Sequence, residues 1–187
     1  PYTGFEIENG YIYATAEETL RVAKYDISSK SNVWTKTSGF TGGSYSTIES
    51  IDDSENFVLS PGFDGSANLS IIDPQGNELE ATSFVRSESL AVCNGRIFAG
   101  ESGDDYELYE FDKNLNAQQS ITIGSRIEGI GCDNSNKYLS VFHRNSLDIY
   151  DFGFNLEAQN TNAGSNQGSG TNIEDGKIFY SSQDGFY

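Results

Sequence analysis

Apolar residues in this chain come in short alternating runs separated by polar turns, with almost no helical stripe. The stretch 94–112 shows the pattern: a turn at Asn94-Gly95, a strand from Arg96 to Glu101, a polar turn from Ser102 to Asp105, and a second strand ending in Phe111-Asp112. Asn-Gly supplies the two positive-φ positions that a two-residue hairpin turn of type I′ requires. The alternation of Tyr106 with Leu108, and of Tyr109 with Phe111, suits pleated strands with at least one buried face. Residues 15–21, TAEETLR, are the one stretch with helical character, and they fall where a hairpin loop belongs.

The unit repeats. An Asp closes the third strand at Asp26, Asp73, Asp112 and Asp151, at intervals of 47, 39 and 39 residues. Ahead of each lies an inner hairpin strand: Tyr11-Ile12-Tyr13, Phe57-Val58-Leu59, Ile97-Phe98 and Tyr138-Leu139. A fifth copy begins at Asp175-Gly176, and its Asp would fall at about position 192, beyond residue 187. Each unit divides into four short strands, at 90–93, 96–101, 106–111 and 118–123 in the third. Four strands per period of about forty residues is the spacing of a β-propeller blade. Ser89, Ala91, Gly129 and Gly131 place small residues in the first strands, as crowding round a central axis demands. The expected fold is therefore all-β: one propeller domain with blades at about 1–38, 39–83, 84–124 and 125–163 and a partial blade at 164–187. Ile12, Val58, Phe98, Leu139 and Phe179 are expected between blades, and the four Asp residues are expected to cap the turns after the third strands.

Asp26-Ile-Ser-Ser-Lys-Ser-Asn-Val-Trp34 and Asp73-Pro-Gln-Gly-Asn-Glu-Leu-Glu80 resemble the outer-strand turns of quinoprotein-like (PQQ-repeat) propellers and the WD40-like superfamily, in which an aromatic-Asp pair precedes a Gly-containing turn and an apolar strand. The resemblance runs over nearly the whole chain and concerns the fold, because fold and function part company in such superfolds. The Gly-His and Trp-Asp pairs of true WD40 repeats are absent, and Gly42-Gly43 is the one Gly-Gly that kelch repeats would need in every blade. Four and a half blades leave strand edges unpaired. Completion by further blades, from the parent chain or another subunit, is expected; a five-bladed ring with a short last blade is the alternative.

Composition narrows the partners. With 11 Lys and Arg against 28 Asp and Glu the formal net charge is −17, which argues against nucleic acid and against anionic membrane surfaces. It favours divalent cations or basic partners. No run approaches the ~18 apolar residues of a membrane span, so membrane insertion is not expected. The chain starts at Pro1 and contains no Met, as in a processed protein or a piece of a longer one. Enrichment in Ser, Thr, Asn, Gly and Tyr leans towards an extracellular or cell-surface location.

Candidate chemistry lies in the loops between blades, at 38–45, 82–88, 124–128 and 163–171, which gather round one mouth of the channel. Two share Arg-x-Glu, as Arg86-Ser87-Glu88 and Arg126-Ile127-Glu128, and alignment of Ser54 with Cys93 puts Glu49 at the comparable place. Three carboxylates and two guanidiniums there would suit a cation such as calcium or a polar ligand. They would equally suit mutual pairing along a strand. Cys93 and Cys132 each precede their Asp by 19 residues. Two readings stay open: a disulfide if the Cα atoms come within ~7 Å, or two small buried side chains. His143, the only His, is expected in a solvated turn with no Ser partner at a recognisable spacing. The leading functional reading is a non-enzymatic scaffold offering a loop-lined face to a protein or glycan, with no resident cofactor. A structural subunit of an extracellular layer or filament is the second. The third is a quinoprotein- or lactonase-like enzyme with calcium in the channel.

Overall fold

The computed structural model describes residues 4–16, 21–41, 45–51, 54–61, 68–83, 87, 89–101, 105–144, 146–163, 171–174, 177–182 and 185–186. Four four-stranded antiparallel meanders follow one another. The first holds β1 (Gly4–Glu8), β2 (Tyr11–Ala16), β3 (Arg21–Asp26) and β4 (Ser31–Lys36). The second holds β5 (Tyr45–Ser50), β6 (Phe57–Pro61), β7 (Asn68–Ile72) and β8 (Glu78–Ser83). The third holds β9 (Ser89–Cys93), β10 (Arg96–Gly100), β11 (Glu107–Asp112) and β12 (Ala117–Thr122). The fourth holds β13 (Ile127–Asp133), β14 (Tyr138–His143), β15 (Ser146–Asp151) and β16 (Leu156–Asn160). A three-stranded fifth sheet follows, with β17 (Thr171–Glu174), β18 (Lys177–Ser182) and β19 (Gly185–Phe186). The first strands β1, β5, β9, β13 and β17 touch in succession and so line a common axis. This is an arc of a β-propeller, with the expected blade count.

Turn chemistry sets the meander. Asn9-Gly10 has φ of 49° and 81°, and Asn94-Gly95 has 54° and 70°, as type I′ hairpins need. After each third strand the Asp caps the turn: Asp26 Oδ1 accepts from the amides of Ser28 and Ser29, and Asp73 Oδ1 from Gln75 and Asn77. Asp112 Oδ1 accepts from Asn114 and Asn116, and Asp151 Oδ1 from Gly153 and Asn155. In blades two to four an Asn four residues on, Asn77, Asn116 or Asn155, also donates its side-chain amide to that Asp. The residue before the Asn takes positive φ: Gly76 at 77°, Leu115 at 60° and Phe154 at 62°. Leu and Phe disfavour that region, but both side chains are thereby buried between blades. A β-bulge recurs beside the Asp in all four third-to-fourth strand pairs.

These turns make a pH prediction. Hydrogen bonds from Asn116 hold the Asp112 carboxyl below the usual carboxylate range, and the turn bonds do the same at Asp26, Asp73 and Asp151. A folded-state value below the unfolded one gives stability that is present above about pH 4 and lost as pH falls through the folded value. Asp112→Asn should therefore cost about 1 kcal/mol at pH 7 and progressively less below pH 4, measured as melting temperature against pH. A cost that does not change with pH would mean that the ionised form is not what the turn holds.

Each blade stacks on the next through a continuous core. Tyr13 and Val22 meet Ile48 and Phe57; Val58 and Ile71 meet Leu90 and Ile97; Phe98 and Leu108 meet Leu139 and Val141; Phe142 and Leu147 meet Ile178. A polar latch repeats at the rim, on the carbonyl of the residue after the turn Asp. The Pro74 carbonyl accepts from Trp34 Nε1 at 3.2 Å, and the Phe152 carbonyl accepts from Arg96 at 2.8 Å and Gln119 at 2.9 Å. Arg96 also grips the buried Glu110 through Nε at 2.6 Å.

Val58, Phe98 and Leu139 are fully buried, as expected, but Ile12 is only half-buried and Phe179 is 54% exposed. Those two expectations are corrected. Ile12 lies on the outward face of the first blade and Phe179 on that of the last sheet, where no further sheet covers them. Thr15, Ala16 and Arg21 are strand residues; positions 17–20 lie outside the described residues.

Candidate functional site

Pairing register decides which residues share the channel. Glu6 pairs with Tyr13, Glu49 with Val58, Ala91 with Phe98 and Gly131 with Ser140, so all four occupy one position in successive first strands. Glu128 occupies a different one. It is the extra residue of a bulge between Ile127 and Gly129, and its counterpart in the second blade is Ser46, bulged between Tyr45 and Thr47. Glu49 lies three residues further along the wall, roughly 10 Å away at strand rise. The alignment of Glu49 with Glu128 is thus corrected: the stretch of chain between the paired Ser50 and Phe57 in the second blade is longer than that between Cys93 and Arg96 in the third, and this displaced the count. Arg126 and Glu128 do come together, with Nε and Oε1 3.5 Å apart and side-chain exposures of 42% and 13%. Arg86 and Glu88 lie outside the described residues.

A cavity of about 360 Å³ opens on the channel between Glu49 and the backbone-lined wall of Leu90, Ala91, Ile130, Gly131 and Cys132. Ala91 and Gly131 leave this space because their repeat position carries a carboxylate in the first two blades and almost no side chain in the next two. Among the described residues Glu49 has no hydrogen-bond or ion-pair partner. Burial, with the Glu6 carboxylate beside it, pushes the Glu49 carboxyl up to about 8. Burial likewise raises Glu6, partly offset by the Ser50 hydroxyl, which donates to it at 3.2 Å. Glu6 was not legible as a site residue, because its equivalence to Glu49 exists only in the pairing register.

Cys93 and Cys132 form a disulfide, with Cα atoms 6.2 Å apart. They do not occupy equivalent positions, however. Cys93 pairs with Arg96, while Cys132 pairs with Leu139, one residue short of the equivalent Asp133. That offset is what allows the bond. Neighbouring strand residues point to opposite faces, so Cys93 faces blade four and Cys132 faces blade three.

His143 is also corrected. It ends β14, is buried, and its Nε2 lies 3.0 Å from Asp148 Oδ2 while Nδ1 lies 2.7 Å from the Ser125 hydroxyl. Asp148 accepts as well from Ser146, Tyr150 and Gln159. Burial alone would raise the Asp148 carboxyl, but the bonds from Ser146, His143 and Gln159 outweigh it and hold it low. An aspartate with its lone pairs so committed is an anchor. The network ties the Ser125 loop at the mouth to β14, β15 and β16. Among the described residues no group of three or more His, Cys, Asp or Glu is arranged to hold a metal ion.

No family model matches the sequence, and no curated protein does. Solved structures match over 97% of the chain. They include a chain of a mitotic checkpoint complex (TM-score 0.79, 11% identity, 59% of that chain) and the WD40 domain of Pan2 from Neurospora crassa (0.77, 9%, 56%). BamB from Moraxella catarrhalis matches with a TM-score of 0.69 at 14% identity over 54% of its length. The chain is a β-propeller, and its resemblance to WD40-like and quinoprotein-like propellers holds at the level of the fold. It spans a little over half the length of these structures.

Proposed function

We propose that the chain is a non-enzymatic, protein-binding propeller scaffold whose channel receives a basic side chain from its partner. The carrying observation is Glu49, a mostly buried carboxylate at the wall of the 360 Å³ cavity with no partner among the described residues. A Lys or Arg head group placed there would meet the Glu49 carboxylate at the cavity wall and would offset its repulsion by the neighbouring Glu6. The overall charge of −17 steers basic partners the same way. Calcium is the weaker occupant of this position, since it takes six to eight oxygens and Glu6, Glu49 and the Ser50 hydroxyl supply few. The Cys93–Cys132 bond supports a location outside the cell or on its surface, where disulfides persist.

Selection of a displayed random-peptide library on the folded chain tests this reading. Enriched peptides should carry Lys or Arg, and Glu49→Gln should weaken them at least tenfold while leaving folding intact. At pH 7 binding should release a proton from Glu49, seen as a dependence of the calorimetric heat on buffer ionisation enthalpy. Enrichment of peptides without basic residues, or binding indifferent to Glu49→Gln, overturns it.

A further inference from the structure

A second cavity, of about 200 Å³, opens between the first and second blades at the end of the fold that carries the Asn9-Gly10 and Asp73 turns, away from the loops between blades. It lies where the repeat elsewhere builds a latch. Tyr11 pairs with Asp26 as Arg96 pairs with Asp112, and Lys24 pairs with Tyr13 as Glu110 pairs with Phe98. Tyr11 and Lys24 therefore stand where the third blade has Arg96 and Glu110. Between blades three and four that place is closed, because Arg96 donates to Glu110 at 2.6 Å and to the Phe152 carbonyl at 2.8 Å. Between blades one and two it stays open. Lys24 Nζ lies 4.0 Å from the centroid of the Tyr11 ring and 4.9 Å from that of Tyr13, a cation over two aromatic faces. It reaches the Pro74 carbonyl at 3.5 Å, the limit of a hydrogen bond, and no described carboxylate pairs with it.

Each blade adds one carboxylate and one carboxamide to the lining: Glu8 and Asn9 from the first, Glu55 and Gln75 from the second. None of these four side chains has a hydrogen-bond or ion-pair partner among the described residues. Half-buried Tyr11 and Pro74 supply an apolar patch, backed by the buried rings of Tyr13 and Phe57. An anion is opposed here by Glu8 and Glu55, and a cation by Lys24. A hydroxyl both donates and accepts, so a neutral ring bearing several hydroxyls can meet Lys24 and both carboxylates at once. The volume lies below the roughly 300–1,000 Å³ of pockets for drug-sized ligands, which leaves room for one such ring. We infer that this pocket is a subsite for one neutral pyranose unit, the terminal sugar of a glycan. Its C–H face packs on Tyr11 and Pro74, one hydroxyl accepts from Lys24, and others donate to Glu8 and Glu55. Asn9 and Gln75 are exposed and mark the mouth through which the rest of the glycan leaves. The subsite is independent of Glu49, which lines a different cavity.

The probes are the methyl glycosides of glucose, galactose, mannose and N-acetylglucosamine, offered to the 187-residue chain at millimolar concentration and read by saturation-transfer difference NMR. At least one should receive saturation, strongest at the protons of one ring face. Tyr11→Ala and Glu55→Ala should each weaken binding at least fivefold. Glu55 is exposed, so its variant keeps the test open where Tyr11→Ala disturbs the fold, and melting curves of both separate lost binding from lost folding. Tyr138→Ala should leave binding unchanged, since Tyr138 holds the place of Tyr11 in the fourth blade. Glu49→Gln should also leave it unchanged, which separates this subsite from the channel. On an array of printed glycans the chain should be retained where the favoured sugar is the terminal residue. The inference is overturned by absence of transfer to all four glycosides, by transfer indifferent to both Tyr11→Ala and Glu55→Ala, or by retention of anionic glycans alone. Stronger transfer to a free amino acid such as leucine than to any glycoside also overturns it, because a zwitterion would then be what fits between Lys24 and the carboxylates.

Discussion

Removing the Cys93–Cys132 bond, by reduction or by Cys93→Ser with Cys132→Ser, is expected to lower stability by about 4 kcal/mol. The bond closes a loop of 39 residues, and the loss of loop-closure entropy from the unfolded chain at that length gives this figure. The bond joins the channel strands of two blades that also share the Phe98 and Leu139 core, so reduced protein should keep its blade stacking and lose mainly the constraint on the unfolded state. Two signatures distinguish this from a local rupture. The denaturant midpoint should fall, and the m-value should rise slightly, because the reduced unfolded chain exposes more surface. A midpoint shift worth less than about 1 kcal/mol would mean that the unfolded chain is already compact around this segment.

The period, the hairpins and the Asp-capped turns were legible because each is a local signal. Asn-Gly dictates its own backbone, and an Asp followed by donors at two and four residues dictates a turn wherever it lies. What failed was arithmetic across loops of different length. A first hairpin two residues longer in blade four than in blade three, and a second one three residues shorter, displaced Cys132 by one position and so onto the opposite face. The longer turn of blade two displaced Glu49 in the same way. In sheets a shift of one residue exchanges the two faces, so residue counts locate a blade without locating a side chain. His143 was misread for a related reason: the strand runs one register pair further than its polarity suggests, with His143 opposite Ser146. Arg126 and Glu128 were legible as a pair, since both lie in one strand. The exposure of Ile12 and Phe179 was not legible, because repeat equivalence fixes a residue's place in its blade and says nothing of whether that blade has a neighbour.

That last distinction yields the sharpest mutational contrast. Phe98→Ala is expected to cost about 3–5 kcal/mol, the range for truncating a large core aromatic. Its ring is fully buried between blades three and four, 5.3 Å from the ring of Phe152 and 6.3 Å from that of Phe154, with the Arg96 guanidinium 5.4 Å from its centroid. The cavity left by Ala could not close easily, because three of its walls belong to the Asp-capped turn of the fourth blade and to the Arg96–Glu110 pair, each fixed by its own hydrogen bonds. Phe179→Ala removes the same atoms from the same place in the repeat, yet should cost within about 0.5 kcal/mol, as at other surface positions. Equilibrium denaturation of the two variants side by side holds side-chain chemistry and strand position constant, so the difference between them measures burial by the adjoining blade alone. Equal losses would place Phe179 in a covered interface and remove the open face from the arc. A loss below about 1 kcal/mol at Phe98 would shift the register of β10 by one and put Ile97, not Phe98, at the boundary with blade four.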